Sequence, residues 1–268
     1  MRILMTGAAG NIGSALRERL VARHRLRLFD QAPMKAAEPR EPVELVQGSV
    51  TNLDDMVEAC RGIDAVVHLA GIPAEAGWDS IKQVNIDGTR TLFEACRQTG
   101  TRRVVFASSN HAVGFRTRKE SGPDGLSDDI AAAPDTYYGM SKAAGEQLGA
   151  LYSARFGMEV VCLRIGSFGR VPTGLRQLAT WLSHDDTARL VEAAISNPVR
   201  GLVYVWGVSA NTARWWSTSG AQRIGYEPQD DAQHWAAELI AQHGEPDVTD
   251  PVLHYVGGPF TQEPLGGE

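Results

Sequence analysis

The sequence predicts an α/β fold built as a doubly wound parallel sheet, with a small C-terminal capping region. Three observations carry this. Short β-rich runs alternate with helix-like segments through the first two-thirds of the chain. Several of those runs are almost continuously apolar, as expected for strands covered by helices on both faces. The first run is followed at once by Gly7-Ala8-Ala9-Gly10-Asn11-Ile12-Gly13, a Gly-x-x-Gly-x-x-Gly loop that opens a helix, so the class is the Rossmann type.

Strands are expected at 2–6, 25–29, 43–46, 64–69, 103–107 and 159–165, with helical patterns near 12–23, 52–61, 79–99 and 139–156. In the last helix Met140, Ala144, Leu148, Leu151 and Tyr152 share one face and predict its buried side. Such alternation implies right-handed crossovers. Residues 167–177, with Gly169, Pro172 and Gly174, read as a loop. Ser183-His184-Asp185-Asp186 reads as a helix start, a serine cap followed by acidic groups in the first turn, with the helix stopping before Pro198. A strand at 202–206 and helical stretches near 212–224 and 231–243 follow. The tail from Gly244 is rich in Gly and Pro, without clear periodicity, and reads as an ordered arm or a mobile end. The domain expectation is a dinucleotide-binding core over 1–166, with 167–268 a capping region and tail integrated into the same domain.

Composition narrows the class. The chain has 268 residues, 43% hydrophobic and 22% charged, with a net charge of −6. This is ordinary for a globular protein with a sizeable core. The acidic balance argues against a nucleic-acid partner. No apolar run approaches the roughly 18 residues that span a bilayer, and the start lacks the features of a signal peptide. Cys60, Cys96 and Cys162 are far apart and form no Cys-x-x-Cys. They read as reduced, buried thiols in a cytoplasmic protein, with no metal site expected.

The glycine loop has a chemical reading. Gly7, Gly10 and Gly13 allow a tight turn, close approach of a pyrophosphate and close helix–strand packing, while Asn11 and Ile12 open the helix whose N-terminus faces the phosphates. Asp30 ends the second strand, 17 residues past Gly13, where a carboxylate binds ribose hydroxyls and repels a 2′-phosphate, favouring NAD over NADP. Tyr138-Gly139-Met140-Ser141-Lys142 is a Tyr-x-x-x-Lys element on a helix. The two side chains share a face, and an ammonium beside a phenol favours the phenolate, giving a general base near neutral pH. The run Ser108-Ser109-Asn110-His111 follows the fifth strand, at the edge of the sheet where ligands bind.

Together the glycine loop, Asp30, His68-Leu69-Ala70-Gly71, Asn85, the serine after the fifth strand and Tyr138/Lys142 resemble the extended short-chain dehydrogenases/reductases over roughly residues 1–225. The resemblance implies that Tyr138 is the proton-transferring acid/base, that Lys142 holds the nicotinamide ribose and tunes it, and that Ser109 hydrogen-bonds the reacting oxygen, with Ser108 the alternative. Asn85 matches a position linked to a proton-relay water. Ser49, Val50, Leu69, Ala70, Gly71 and Ile165 complete the expected NAD contacts.

A narrower set of stretches is similar to uronate dehydrogenases: Ser108-Ser109-Asn110-His111, Arg164-Ile165-Gly166-Ser167, Arg176, Thr180 to Asp186, and Trp206 to Asn211. This resemblance implies oxidation of C1 of D-glucuronate or D-galacturonate with NAD to an aldaro-lactone. It implies a sugar site lined by Ser109, Asn110, His111, Tyr138, Ser167 and Arg176. The guanidinium of Arg176 can also bind a carboxylate bidentately on chemical grounds. Two positions depart from the pattern. Ser49 stands where an Asp usually meets the adenine, and Pro73 stands where a serine contacts substrate. Proline has no side-chain donor, so its loop must bind sugar through backbone groups or Glu75, which is expected to point at hydroxyls or solvent. A homo-oligomer is expected, with no membrane partner. The competing readings are an epimerase or reductase acting on a nucleotide sugar, and a non-enzymatic NAD-binding sensor.

Overall fold

In the computed structural model, which describes residues 1–267, seven parallel strands lie in the order β3-β2-β1-β4-β5-β6-β9. They are β1 (Arg2–Thr6), β2 (Arg25–Asp30), β3 (Val43–Gln47), β4 (Ala65–His68), β5 (Arg103–Ser109), β6 (Glu159–Ile165) and β9 (Leu202–Gly207). The order reverses between β1 and β4. The loops leaving those two strands therefore diverge and open a crevice at the carboxyl edge. The strands of 43–46 and 202–206 in the sequence reading become the two edges of the sheet, so the region after residue 166 contributes its seventh strand. Core packs on both faces. Ile3, Met5, Leu16 and Val191 belong to one cluster, and Leu4, Phe93, Val104 and Phe106 to the other. Among the described residues no helix is long and apolar enough to cross a membrane.

The helices of the first half are α1 (Asn11–Leu20), α2 (Leu53–Cys60), α3 (Trp78–Ile81), α4 (Gly88–Thr99) and α5 (Tyr137–Phe156). The single helix expected over 79–99 is interrupted by a π-helical stretch, Lys82–Asp87, which carries Asn85. Thr136 caps α5 through its side chain, and Gly157 ends the helix in the left-handed conformation, φ 66°. Of the predicted apolar stripe only Tyr152 is fully buried. Leu151 is 54% exposed, and Met140, Ala144 and Leu148 are only half-buried. The buried side instead runs through Ser141, Lys142, Gly145, Glu146, Gly149 and Ser153. The reason is distance: a Cβ on Gly145 would stand 2.3 Å from the Phe106 ring. Only a face of small residues lets α5 approach β5 that closely.

Within that contact lies a buried ion pair. Arg164 donates from Nε and Nη2 to the two carboxylate oxygens of Glu146 at 2.9 and 2.8 Å, and Ser108 Oγ donates to Oε1 at 2.7 Å. Their side chains are 2% and 1% exposed. The pair ties α5 to β5 and β6.

The C-terminal region departs from the sequence reading in two places and decides between its alternatives in a third. Residues 167–177 are not all loop, because β7 (Ser167–Phe168) pairs with β8 (Trp181–Leu182), and α6 (Gln177–Thr180) starts at the end of that range. Second, α7 (His184–Ser196) begins on the Ser183 cap as expected, but the stretch 212–224 is helical only in α8 (Ser219–Ile224). There Trp216, stacked at 4.0 Å on Trp215 and packed on Trp206, is held as core instead. Third, the tail after α9 (Ala236–His243) is ordered. It forms α10 (Pro251–His254) and a 3-10 turn, Gly258–Gln262, and pairs its backbone with residues 114–117.

Two outcomes follow from the buried polar groups. Glu146→Leu leaves Arg164 an unpaired buried cation and should cost about 3–5 kcal/mol in urea denaturation, and adding Arg164→Met should recover most of it. His68 is buried, with Nδ1 2.7 Å from Thr6 Oγ1 and Nε2 3.2 Å from Thr89 Oγ1. Burial, helped by the charge of Lys142, pulls its pKa down to about 3. The folded state then refuses a proton that the unfolded chain accepts below about pH 6.5. Stability is whole above that pH and falls toward pH 3, by on the order of 5 kcal/mol at the limit. His68→Gln should flatten this part of the acid-unfolding curve.

Candidate active site

The crevice at the carboxyl edge is a cleft of about 810 Å³ that runs from the glycine loop to the N-terminus of α5. Gly7 sits at φ 70°, where a Cβ would meet the Ala70 nitrogen at 2.6 Å, and a Cβ on Gly13 would meet Ala8 at 2.7 Å. The first and third glycines are thus required by close approach of the loop to β4 and to its own turn. Asp30 holds the loop from the other side, its Oδ2 accepting from Ala9 N at 2.9 Å.

Gly7, Gly10, Asn11, Ile12, Gly13, Asp30, Ser49, Val50, Leu69, Ala70, Gly71 and Ile165 all line the cleft. These residues fit NAD on two counts. The glycine cradle leaves space beside backbone N–H groups at a helix N-terminus, and a carboxylate waits at the end of β2. Ser49 and Thr51 bond through their hydroxyls at 2.9 Å, and Thr51, Phe29 and Gln31 also line this end. Gln31 directly follows Asp30, but no spacing in the sequence marked the other two.

At the opposite end the structure brings together Ser109, Asn110, His111, Tyr138, Lys142 and Pro73. Lys142 Nζ donates to the Ala107 carbonyl at 2.8 Å and sits over the Tyr138 ring, 5.6 Å from its centroid. Burial pulls Lys142 down to about 8. Burial pushes Tyr138 up to about 12, against the Ser109 hydroxyl, which favours the phenolate, and with the Asp135 charge, which opposes it. The expected lowering of the phenol by the lysine is therefore not what the protein alone produces. The ammonium lies over the ring, and desolvation outweighs it.

Three expected residues, Asn85, Ser167 and Arg176, are not among those that line the cleft. The Asn85 carboxamide brackets Ile72, accepting from its N–H at 2.7 Å and donating to its carbonyl at 3.1 Å, and it also donates to Ser141 Oγ at 3.0 Å. It shapes the Gly71–Pro73 loop. Arg176 donates from Nη2 to the Val256 carbonyl at 2.5 Å and from Nη1 to Ser167 Oγ at 3.3 Å. Its Nε is buried without a partner among the described residues. Burial lowers Arg176 to about 10, opposed by the Asp135 charge. Ser167 Oγ is also 2.8 Å from Thr180 Oγ1.

What holds these groups is the C-terminal arm, which the sequence reading left open. Asn110 Nδ2 donates to the Val256 carbonyl at 2.9 Å. Phe260 stacks on His111 at 4.0 Å between centroids and lies edge-on to Tyr138 at 6.4 Å. Glu75 points neither at hydroxyls nor at solvent. Its Oε2 accepts from Tyr138 N at 2.8 Å and its Oε1 from Gly266 N at 2.9 Å. The first turn of a helix leaves N–H groups unpaired and favours a carboxylate, which is why Glu75 settles there. The only local hint of the arm was Gly257-Gly258-Pro259, since contacts across 146 residues leave no periodicity.

Comparison with known proteins agrees with this geometry. Residues 3–170 match the NAD dependent epimerase/dehydratase family. A uronate dehydrogenase of Agrobacterium fabrum (strain C58) is 40% identical over 265 residues, covering 98% of each chain. The crystal structure of a glucuronic acid dehydrogenase from Chromohalobacter salexigens superposes with a TM-score of 0.92 at 38% identity, over 99% of this chain and 98% of that one. A mutant uronate dehydrogenase from Agrobacterium tumefaciens complexed with NAD gives 0.90 at 39%, over 98% and 97%. The chain belongs to the NAD dependent epimerase/dehydratase family, the extended short-chain dehydrogenases/reductases.

Proposed function

We propose that the protein is an NAD-dependent uronate dehydrogenase, which oxidises C1 of a hexuronic acid such as D-glucuronate or D-galacturonate to an aldaro-lactone. The observation that carries this reading is the meeting of Ser109, Tyr138 and Lys142 at one end of a dinucleotide cleft with Asn110, His111 and the arm held by Arg176. Near full-length similarity to uronate dehydrogenases supports it.

NAD, when bound, supplies the hydride acceptor. Gly7, Gly10, Gly13 and the start of α1 would hold its phosphates, Asp30 its ribose hydroxyls, and Lys142 its second ribose. The sugar binds as a ring hemiacetal. Ser109 Oγ donates to the C1 oxygen and Tyr138 Oη takes its proton. As C1 gives up its hydride, the C1–O bond becomes the lactone carbonyl. The substrate carboxylate is assigned to Arg176, where it would replace the Val256 carbonyl. A carboxylate, with a full negative charge and two oxygens for a bidentate bond, is a stronger partner for the guanidinium than the single carbonyl it displaces. Asn110 and His111 meet ring hydroxyls. Pro73 offers surface but no donor.

NADH absorbance tests this directly. Rapid reduction of NAD with uronates, and little with NADP or neutral hexoses, is the expected result. No reaction with either uronate despite NAD binding would move the search to nucleotide sugars. Tyr138→Phe should lower kcat by a factor on the order of 10²–10⁴ and leave NAD binding intact. Arg176→Ala should chiefly raise the KM for uronate, and an unchanged kcat/KM would remove it from the site. The base must lose its proton and its pKa lies above neutrality. The rate should therefore climb with pH up to about 8, then level as Lys142 sheds its charge.

A further inference from the structure

Asp135 is a carboxylate beside the sugar end of the cleft that no part of the proposed reaction uses. It lies directly before Thr136, the cap of α5. Its side chain is fully buried. One oxygen, Oδ2, is 2.7 Å from His111 Nδ1, and the other accepts from Thr136 Oγ1 at 3.0 Å. The space around it is cut to fit. A Cβ on Gly114 would stand 2.0 Å from Oδ2, one on Gly257 1.9 Å from it, and one on Gly139 2.7 Å from Oδ1. Glycines from three segments thus close around the carboxylate, where any side chain would collide with it.

The opposite edge of the imidazole is different. His111 lines the cleft, and its Nε2 has no hydrogen-bond partner among the described residues and is not sealed from solvent. The ring is fixed in three directions: stacked on Phe260 at 4.0 Å, edge-on to Tyr138 at 5.7 Å, and bonded to Asp135. A carboxylate only accepts, so the proton of a neutral imidazole must sit on Nδ1, which leaves a lone pair on Nε2. Sugar hydroxyls are donors that such a lone pair can receive.

We propose that Asp135 is a positioning residue of the sugar site: it locks His111 in the Nδ1–H tautomer, so that Nε2 accepts a hydrogen bond from a substrate hydroxyl beside Tyr138. The inference rests on the uronate reading of the cleft, and its ligand is a polyol ring. A ring held this way discriminates sugars by where they present a donor.

The test begins with the unaltered full-length protein labelled with 15N-histidine, with His111→Gln assigning the resonances. Nδ1 should appear as the protonated nitrogen and Nε2 as the bare one, and Nε2 should shift when uronate is added. An Nε2–H tautomer, or a ring protonated on both nitrogens, overturns the proposal. Steady-state kinetics then compare Asp135→Asn, His111→Gln and the double variant. The carboxamide can present either its oxygen or its NH2, so the tautomer is released. Asp135→Asn should raise the uronate KM roughly tenfold, the scale of one lost hydrogen bond in a dry site, with the affinity for NAD unchanged. The double variant should be no worse than His111→Gln alone, because one residue acts through the other. Additive losses, or weakened NAD binding, would mean that Asp135 only braces Gly114 and Gly257. If Asp135→Asn does not fold, the nitrogen spectrum of the unaltered protein still decides. Should that protein fail to oxidise uronates, the uronate reading falls while the tautomer is judged separately.

Discussion

The structure depends on how closely helix α5 lies against strand β5. The helix carries Tyr138 and Lys142 at its start, and both must reach a point defined by residues on other elements, Ser109 and the Ala107 carbonyl. An error of about 1 Å in such placement can cost a hundredfold in rate. Gly139, Gly145 and Gly149 bring the helix axis in, and the Glu146–Arg164 pair fixes how far it can slide. A hydrophobic seam would have been as stable, but it tolerates slippage that a bidentate ion pair with a third bond to Ser108 does not.

The same closeness explains what could be read in advance. Strand–helix alternation is a local property of the chain, and so is the glycine loop. The sheet, the phosphate cradle, Asp30 and the Tyr-x-x-x-Lys pair were all legible. The buried side of α5 was misread because periodicity reports apolar residues, whereas here the tight contact needs small and polar ones. Leu151 was placed in the core and lies exposed. The role of the arm was illegible for another reason. Val256 and Phe260 touch Asn110, Arg176 and His111 through contacts that have no spacing. Arg176 was picked out as a carboxylate binder, and its hold on Val256 could not be foreseen.

Electrostatically, burial governs the titratable groups behind and along the cleft. Burial raises Tyr138 to about 12 and lowers Lys142 to about 8 and His68 to about 3. All three shifts favour the uncharged form. Lys142, at about 8, nevertheless keeps most of its charge at neutral pH, and the buried guanidinium of Arg176 keeps its own. Buried groups such as these respond strongly to whatever charge a ligand brings, because a low-dielectric surrounding screens it weakly.

The C-terminal arm has a consequence for biosynthesis. A ribosome releases the glycine cradle, the sheet and the Tyr138 helix long before residues 256–260 emerge. The nascent chain can therefore complete its sheet first, while the carbonyl that engages Asn110 and Arg176 and the ring that covers His111 arrive only after all seven strands. A chain cut before residue 256 would keep the glycine loop and Tyr138 but lose the groups that touch Asn110, Arg176 and His111.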